Sequence, residues 1–152
     1  MWEMEVYATV KETAEYGVVS KGKTASTSGA ETDAMAAANA FDGDEGTRWS
    51  SNFADDAWIA VDLGKTYAVS KVVLNWEAAY GESYKIQTST DGKNWTTAKD
   101  VTGKNGGIDT ITLNTVNARY VRMQGEREVY HMDIHCGKWK YMQLLRKLQN
   151  MA

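Results

Sequence analysis

The sequence predicts an all-β domain, for three reasons. Short stretches with the alternating pattern of half-buried strands recur at a spacing of about 8–12 residues, with turn residues between them. The composition is rich in Gly, Ser, Thr and aromatic residues, with six Trp and eight Tyr among 152 residues. Asp91-Gly92 stands between two such stretches and is a strong β-hairpin signal. This combination favours a β-sandwich or a β-barrel.

The first elements are predicted from local patterns. Residues 2–7 alternate apolar and acidic side chains, which indicates a half-buried strand. The segment 20–32 is rich in Ser, Thr and Gly and is interpreted as a strand end followed by a loop. The Ala-rich segment 33–40 predicts a short helical turn, and the acidic segment 41–47 a tight loop.

Residues 58–123 contain six predicted strands. Residues 84–89 run into Asp91-Gly92, and 95–101 is the predicted partner strand of the hairpin. Residues 103–107 are predicted as a turn. The other predicted strands are 58–63, 69–76, 108–113 and 120–123.

Charge and composition exclude several classes of protein. The net charge is −3, so nucleic acid is not an expected partner. Residues 1–129 are acidic, whereas 130–152 are basic and carry apolar residues at helical spacing. The single cysteine, Cys136, allows no intrachain disulfide. No apolar run is long enough for a membrane span, no signal peptide opens the chain, and membrane contact is not expected.

Eight short motifs between residues 21 and 125 stand in a characteristic order. They are KTAS (23–26), NAFDGD (39–44), TRWSS (47–51), WIAVDLG (58–64), VVLNWE (72–77), YKIQTS (84–89), DGKNW (91–95) and ARYVR (118–122). The series resembles the discoidin domain, the coagulation factor V/VIII C-type domain. More narrowly, it resembles carbohydrate-binding module family 32.

The resemblance implies an eight-stranded jelly-roll β-sandwich that binds sugars through loops at one end. It also implies a module without catalytic activity, carried by a secreted, multi-domain glycan-degrading enzyme. We therefore expect a polysaccharide or oligosaccharide partner and an extracellular or cell-surface parent protein. Glu31 and Glu77 could be imagined as a glycosidase pair, but a small sandwich offers little cleft for distorting a sugar. No enzyme is predicted.

The end of the chain departs from the family. Such domains close with a segment like YGYSLWEMEVY, whose end stands here at residues 2–7 as WEMEVY. Codons for residues 2–17, read from their second nucleotide, can encode residues 137–152, GKWKYMQLLRKLQNMA. This agreement predicts a parent gene with tandem, near-identical modules, and an out-of-frame tail without selected function.

These observations predict a circularly permuted domain. Residues 1–8 are the displaced last strand, 9–20 a connector, 21–129 the discoidin-like domain, and 130–152 a helical or disordered tail. The connector is long enough to lead the chain back to the domain. The alternative is an empty slot, which would expose a sheet edge and leave a sticky, marginal domain.

A structural calcium ion is the expected cofactor. Asp42, Asp44 and Thr47 lie close together in a Gly-containing loop, and hard Ca²⁺ prefers such oxygen ligands. The resemblance adds the Asn39 carbonyl as a ligand. It also adds Glu3 and the Trp2 carbonyl, provided that the N-terminal strand docks.

The sugar site is predicted near the ligand end that the resemblance implies. Sugar recognition needs an aromatic ring for the C–H face of a pyranose and planar polar groups for its hydroxyls. The paired carboxylates in the predicted set suit a cationic amine such as glucosamine, and the pattern is similar to that of the chitosan-binding members. The candidates are Glu31, Arg48, Phe53, Glu77 and Tyr80.

Three alternatives to chitosan binding stay open. The ligand could be a galactose-type glycan, although members that bind galactose more often have a His in this region. A discoidin-type adhesion module would bind a protein or an anionic membrane, which the acidic body does not favour. The chain could also be a non-functional fragment. Binding that depends on salt and pH would favour chitosan over neutral galactosides.

Overall fold

The computed structural model describes residues 1–10, 15–30, 32–44, 46–50, 56–76 and 80–129. These residues form seven strands and two short 3-10 helices, Asp33–Met35 and Ala37–Phe41. The strands are β1 (Glu3–Val10), β2 (Glu15–Val18), β3 (Thr24–Thr27), β4 (Trp58–Asn75), β5 (Tyr80–Ser89), β6 (Thr96–Val101) and β7 (Ile108–Val129). The predicted tail 130–152 lies outside the described residues. No helix among the described residues is long and apolar enough to cross a membrane.

The strands pair antiparallel in the order β2-β1-β4-β7-β5-β6, and β3 also pairs with β4. The long strands β4 and β7 stay paired through an irregularity between Asp62 and Tyr67. On one side of it β4 pairs with β3, and on the other side with β1. Strand β5 pairs with the C-terminal half of β7. The two long strands therefore run through both layers of a β-sandwich.

Alternating side chains of these strands form the core. Met4, Val6 and Ala8 of β1 are fully buried, as are apolar residues of β4, β5 and β7. Phe41 and Trp49 join the same core from outside the strands. Each large apolar side chain buried in this way contributes about 1.5–3 kcal/mol through the hydrophobic effect. The alternation of buried and less buried residues therefore determines which face of each strand points into the core.

The structure confirms the all-β fold class and differs from the expected eight strands in how they are joined. The predicted strands 58–63 and 69–76 are continuous in β4, and 108–113 and 120–123 are continuous in β7. The hairpin at Asp91-Gly92 is present. Gly92 has a φ of 76°, and an Asp91 carboxylate oxygen accepts hydrogen bonds from the Lys93 and Asn94 amides, both at 2.8 Å.

The N-terminal strand lies within the sheet. Strand β1 pairs with the end of β4, from Glu3 opposite Asn75 to Ala8 opposite Val69. Strand β2 lies in the segment predicted as a connector and pairs back onto β1, so this segment contains regular structure. The Val6 amide also donates to the Ser20 hydroxyl at 3.0 Å. Both edges of β1 are therefore hydrogen-bonded.

Candidate functional site

The acidic loop after Phe41 is held together by its own side chains. Asp42 accepts hydrogen bonds from the Asp44 amide at 2.8 Å and from the Thr47 hydroxyl. An Asp44 carboxylate oxygen accepts from the Gly46 amide at 2.8 Å. Gly43 has a φ of 74°, a conformation that L side chains rarely adopt. The loop therefore directs Asp42 and Thr47 toward each other and turns the Asp44 carboxylate toward Gly46.

Glu3 of β1 reaches this loop. One of its carboxylate oxygens accepts a hydrogen bond from the Gly43 amide at 3.0 Å, and its carboxyl group hydrogen-bonds to Asp42. Burial, followed by the interaction with Asp42, raises the pKa of Glu3 to about 8. Burial opposes ionisation of Asp42 too, but hydrogen bonds from Thr47 and from the Asp44 amide hold its pKa below the usual value. The two pKa values are thus shifted in opposite directions, and Glu3 is the member of the pair that more readily holds a proton.

The other predicted calcium ligands occupy the same region with different partners. The Asn39 side-chain amide donates to the Arg48 carbonyl at 3.0 Å. The Asp44 carbonyl accepts from the Thr47 hydroxyl at 3.1 Å. Within the described ranges, no group of three or more His, Cys, Asp or Glu side chains could hold a metal ion. Glu3, Asp42 and Thr47 are brought together, and their donors are all oxygen atoms, the type that Ca²⁺ prefers.

The N-terminal residues are anchored to the segment that follows the acidic loop. The Met1 ammonium group donates to the Trp49 carbonyl at 2.9 Å, and the Trp49 amide donates to the Met1 carbonyl at 3.0 Å. The Arg48 guanidinium carbon lies 5.8 Å from the centroid of the Trp2 ring. The contact between Arg48 and Trp2 was not predicted, because no local pattern links residues so far apart in the sequence.

Two of the five predicted sugar-binding residues belong to the described part of the chain. Arg48 lies over Trp2, and Tyr80 packs against Gly106, where an added Cβ would lie 3.0 Å from the Tyr80 ring. Gly106 also has a φ of 86°, so this position requires glycine for two reasons. The predicted residues Glu31, Phe53 and Glu77 lie outside the described residues.

A buried carboxylate supports the end of β4, an arrangement that the sequence analysis missed. Asp109 is 5% exposed and accepts hydrogen bonds from the Trp76 indole at 2.9 Å and from the Tyr84 hydroxyl at 2.6 Å. Burial and the neighbouring Asp109 raise the pKa of Tyr84. Buried Trp and Tyr residues usually need such an acceptor, which is the signal that could have indicated it. The Trp76 amide also donates to the Gly107 carbonyl at 2.8 Å.

Comparisons with known proteins identify relatives of the chain. The family model of the F5/F8 type C domain, described as a NedA-like, galactose-binding domain, matches residues 39–123. The polysaccharide lyase 8 family protein HylA of Enterococcus faecalis is 42% identical over 89 residues, which are 56% of this chain. The match spans 6% of the length of HylA.

Solved structures similar to this chain include two chitosan-binding modules and a lectin domain. Chitosan-binding module 2 of a chitosanase/glucanase from Paenibacillus sp. IK-5, in complex with chitotriose, is 38% identical with a TM-score of 0.71, covering 74% of this chain and 89% of that module. Chitosan-binding module 1 of the same enzyme is 44% identical with a TM-score of 0.71, covering 74% and 88%. The lectin domain of lectinolysin, complexed with Lewis B antigen, is 27% identical with a TM-score of 0.60, covering 73% and 89%.

Proposed function

The chain belongs to the F5/F8 type C domain family, and we propose that it is a non-catalytic module that binds carbohydrate through loops at one end of its sandwich. The observation that carries the proposal is its similarity to the two chitosan-binding modules, each of which it covers almost completely. Their shared fold and substantial sequence identity indicate a shared class of ligand.

We propose chitosan, or another polysaccharide that contains glucosamine, as the ligand. One of the similar modules was solved with chitotriose. Glucosamine carries an ammonium group near neutral pH, and the acidic residues predicted for the site, Glu31 and Glu77, would attract it. Arg48, Phe53 and Tyr80 complete the predicted set as one planar polar group and two aromatic rings.

A galactose-type glycan is the second candidate. The matching family model is described as galactose-binding, and the similar lectin domain was solved with Lewis B antigen. A neutral glycan would depend on stacking and hydrogen bonds rather than on the two acidic residues. The candidates therefore differ in how they respond to the loss of carboxylate charge.

Calorimetric titration of the full chain with chitotriose, tri-N-acetylchitotriose and galactose tests the proposal. We expect chitotriose to bind more tightly than its N-acetylated form, which lacks the positive charge. Glu31→Gln and Glu77→Gln should each weaken chitotriose binding several-fold. Asp100→Asn is the matched control, because this acidic residue lies on edge strand β6 with 66% of its side chain exposed. Binding of galactose alone would support the second candidate, and no binding of any sugar would contradict the function.

A structural calcium ion is a further part of the proposal. The Glu3 and Asp42 carboxyl groups hydrogen-bond to each other, and a divalent cation would bind both carboxylates in place of that contact. Glu3, Asp42 and Thr47 would hold the ion through side-chain oxygens. Further oxygen donors would be the backbone carbonyls of Trp2, Asn39 and Asp44. A bound ion would supply the charge that fixes the loop against the N-terminal strand.

The parent protein is proposed to be larger than one module. The similar modules come from a chitosanase/glucanase, and the match to HylA covers a small part of that polysaccharide lyase family protein. We propose an extracellular, multi-domain enzyme with tandem modules as the context of this chain. We also propose that residues 1–8 take the place of the family's last strand, with the body of the domain at 21–129; the pairing of β1 with β4 supports this arrangement.

A further inference from the structure

The β6–β7 turn, residues 102–107, lies against the chain where β4 ends and β5 begins. The Gly107 carbonyl accepts a hydrogen bond from the amide of Trp76, the residue after β4, at 2.8 Å. The Lys104 amide donates to the Glu82 carbonyl of β5 at 3.1 Å. The turn is therefore hydrogen-bonded to the chain both at the end of β4 and within β5.

Gly106 of this turn packs directly against the ring of Tyr80. An added Cβ at Gly106 would lie 3.0 Å from Cδ1 and 3.3 Å from Cγ of Tyr80, which is closer than carbon atoms normally pack. A side chain at this position would therefore displace the ring. Gly103 of the same turn also has a positive φ, 68° against 86° at Gly106, but an added Cβ there meets nothing within 4 Å. The two glycines thus share a backbone requirement and differ in their contact with Tyr80.

The backbone next to Tyr80 is held from the other side by buried rings. An added Cβ at Gly81 would lie 3.0 Å from the Tyr84 ring and 3.2 Å from the Trp76 ring. Both rings are hydrogen-bonded to the carboxylate of Asp109, at the beginning of β7. The start of β5 is therefore packed against rings that β7 holds in place, and the ring of Tyr80 is packed against the turn that leads into β7.

We propose that Gly106 is a positioning residue for sugar binding, which holds the Tyr80 ring in the orientation that stacks on a pyranose. The inference rests on the proposed carbohydrate-binding function, in which Tyr80 is one of the predicted aromatic contacts, and it adds the β6–β7 turn to the site. Gly106 has no side chain with which to touch the sugar, so it acts through Tyr80. Binding groups need to be held within about 0.5 Å of their productive positions, so displacement of the ring weakens the contact with the sugar.

Calorimetric titration of the full chain with chitotriose tests the proposal in Gly106→Ala and in the matched control Gly103→Ala. Both substitutions place an L side chain at a positive φ and should lower the Tm, so a change in stability does not distinguish them. We expect Gly106→Ala to weaken chitotriose binding about threefold, near the lower end of what the loss of one aromatic contact costs. Gly103→Ala should bind like the native chain, because its Cβ contacts no neighbour.

A double-mutant cycle shows whether Gly106 acts through Tyr80. Tyr80→Ala should itself weaken chitotriose binding, because it removes the ring. In that background, Gly106→Ala should have no further effect on the affinity, since the group that it displaces is gone. NMR of the native chain gives a measurement that needs no variant. The Tyr80 ring protons should show nuclear Overhauser contacts to the Gly106 α-protons and should shift when chitotriose is added.

The outcomes separate the role of Gly106 from the general function. Equal chitotriose affinities of Gly106→Ala and Gly103→Ala, or Tyr80 ring signals that stay in place while chitotriose binds, would overturn the positioning role and leave the carbohydrate function intact. A loss of affinity in Gly106→Ala that is the same with and without the Tyr80 ring would also overturn it. A native chain that binds galactose alone is tested in the same way with galactose. Failure of the native chain to bind either sugar would overturn the proposed function and the inference together.

Discussion

Among single residues, Asp62 and Arg119 form the best-defined ion pair of the described chain. Arg119 donates to both carboxylate oxygens of Asp62, at 2.8 and 3.0 Å, and the Gly64 amide donates to the same carboxylate at 2.8 Å. Asp62 is the last β4 residue paired with β7 before the irregularity that ends at Tyr67. The pair therefore holds the two long strands together at the point where the regular pairing is interrupted.

Replacement of Asp62 by Asn should lower the free energy of unfolding by an amount that depends on pH. Hydrogen bonds from Arg119 hold the pKa of Asp62 below its usual range. A lowered folded-state pKa contributes stability that is fully present above the unfolded value of about 3.9 and is lost as the pH falls through the folded value. Urea denaturation should thus show a lower midpoint for Asp62→Asn than for the native chain at pH 6, with the difference closing as the medium becomes more acidic.

Asp100→Asn serves as the control for this measurement. Asp100 approaches Lys85 at 3.9 Å and is 66% exposed, so solvent screens the pair and the expected change in midpoint is smaller. A difference between Asp62→Asn and the native chain that is the same at pH 6 and at strongly acidic pH would contradict the role of the Asp62 charge.

At the scale of elements, local pattern predicted where strands occur but not how they are joined. The alternation at residues 2–7 and the Asp91-Gly92 turn each indicate an element from a few neighbouring residues. The continuity of β4 through Gly64 depends on its pairing with β7, more than 50 residues away in sequence, as the Asp62–Tyr120 pair shows. Strand β2 likewise forms because β1 offers it an open edge, which its own residues do not reveal.

The candidate site was predictable only in part for the same reason. The acidic loop is visible in the sequence as Asp42, Asp44 and Thr47 around glycines. The meeting of Glu3 with this loop spans 40 residues and was expected only through the family resemblance. The contact between Trp2 and Arg48 was not expected at all, because the position of β1 decides it.

Calcium and β1 should stabilise each other, since Glu3 belongs to the strand and Asp42 to the loop. A ligand at 100 times its Kd adds about 2.7 kcal/mol to the free energy of unfolding. We expect calcium chloride to raise the Tm of the native chain relative to EDTA, and to slow amide hydrogen exchange in β1. Glu3→Gln should lose most of both responses. The exposed Asp33→Asn, in the first 3-10 helix, is the control and should respond like the native chain.

Two results would contradict this coupling. An unchanged Tm of the native chain in calcium would remove the ion from the proposal altogether. A Tm that rises equally in the native chain and in Glu3→Gln would place the ion in the loop without the strand. Amide hydrogen exchange in β1 separates these cases. An ion held by the loop alone would not change the exchange rate of the β1 amides when calcium is added.

On the scale of the whole molecule, the charge distribution distinguishes the proposed ligands. Residues 1–129 carry 13 basic and 19 acidic residues, so the domain that would bind sugar is itself acidic. An acidic domain attracts a polycation such as chitosan over a distance and repels acidic polysaccharides and anionic membranes. The same field has no effect on a neutral galactoside, for which only short-range contacts count.

Salt should therefore weaken chitosan binding by the whole module much more than galactoside binding. The Debye length falls from about 10 Å at 0.1 M salt to about 3 Å at 1 M, which removes the attraction of all but the nearest carboxylates. We expect the affinity for chitotriose, measured by calorimetry, to fall several-fold over this range at pH 6, where the exposed Asp and Glu side chains are ionised and glucosamine is protonated. Tri-N-acetylchitotriose is the matched neutral ligand. A parallel fall for both ligands would show that charge does not select the sugar, and stacking on aromatic rings would then account for recognition.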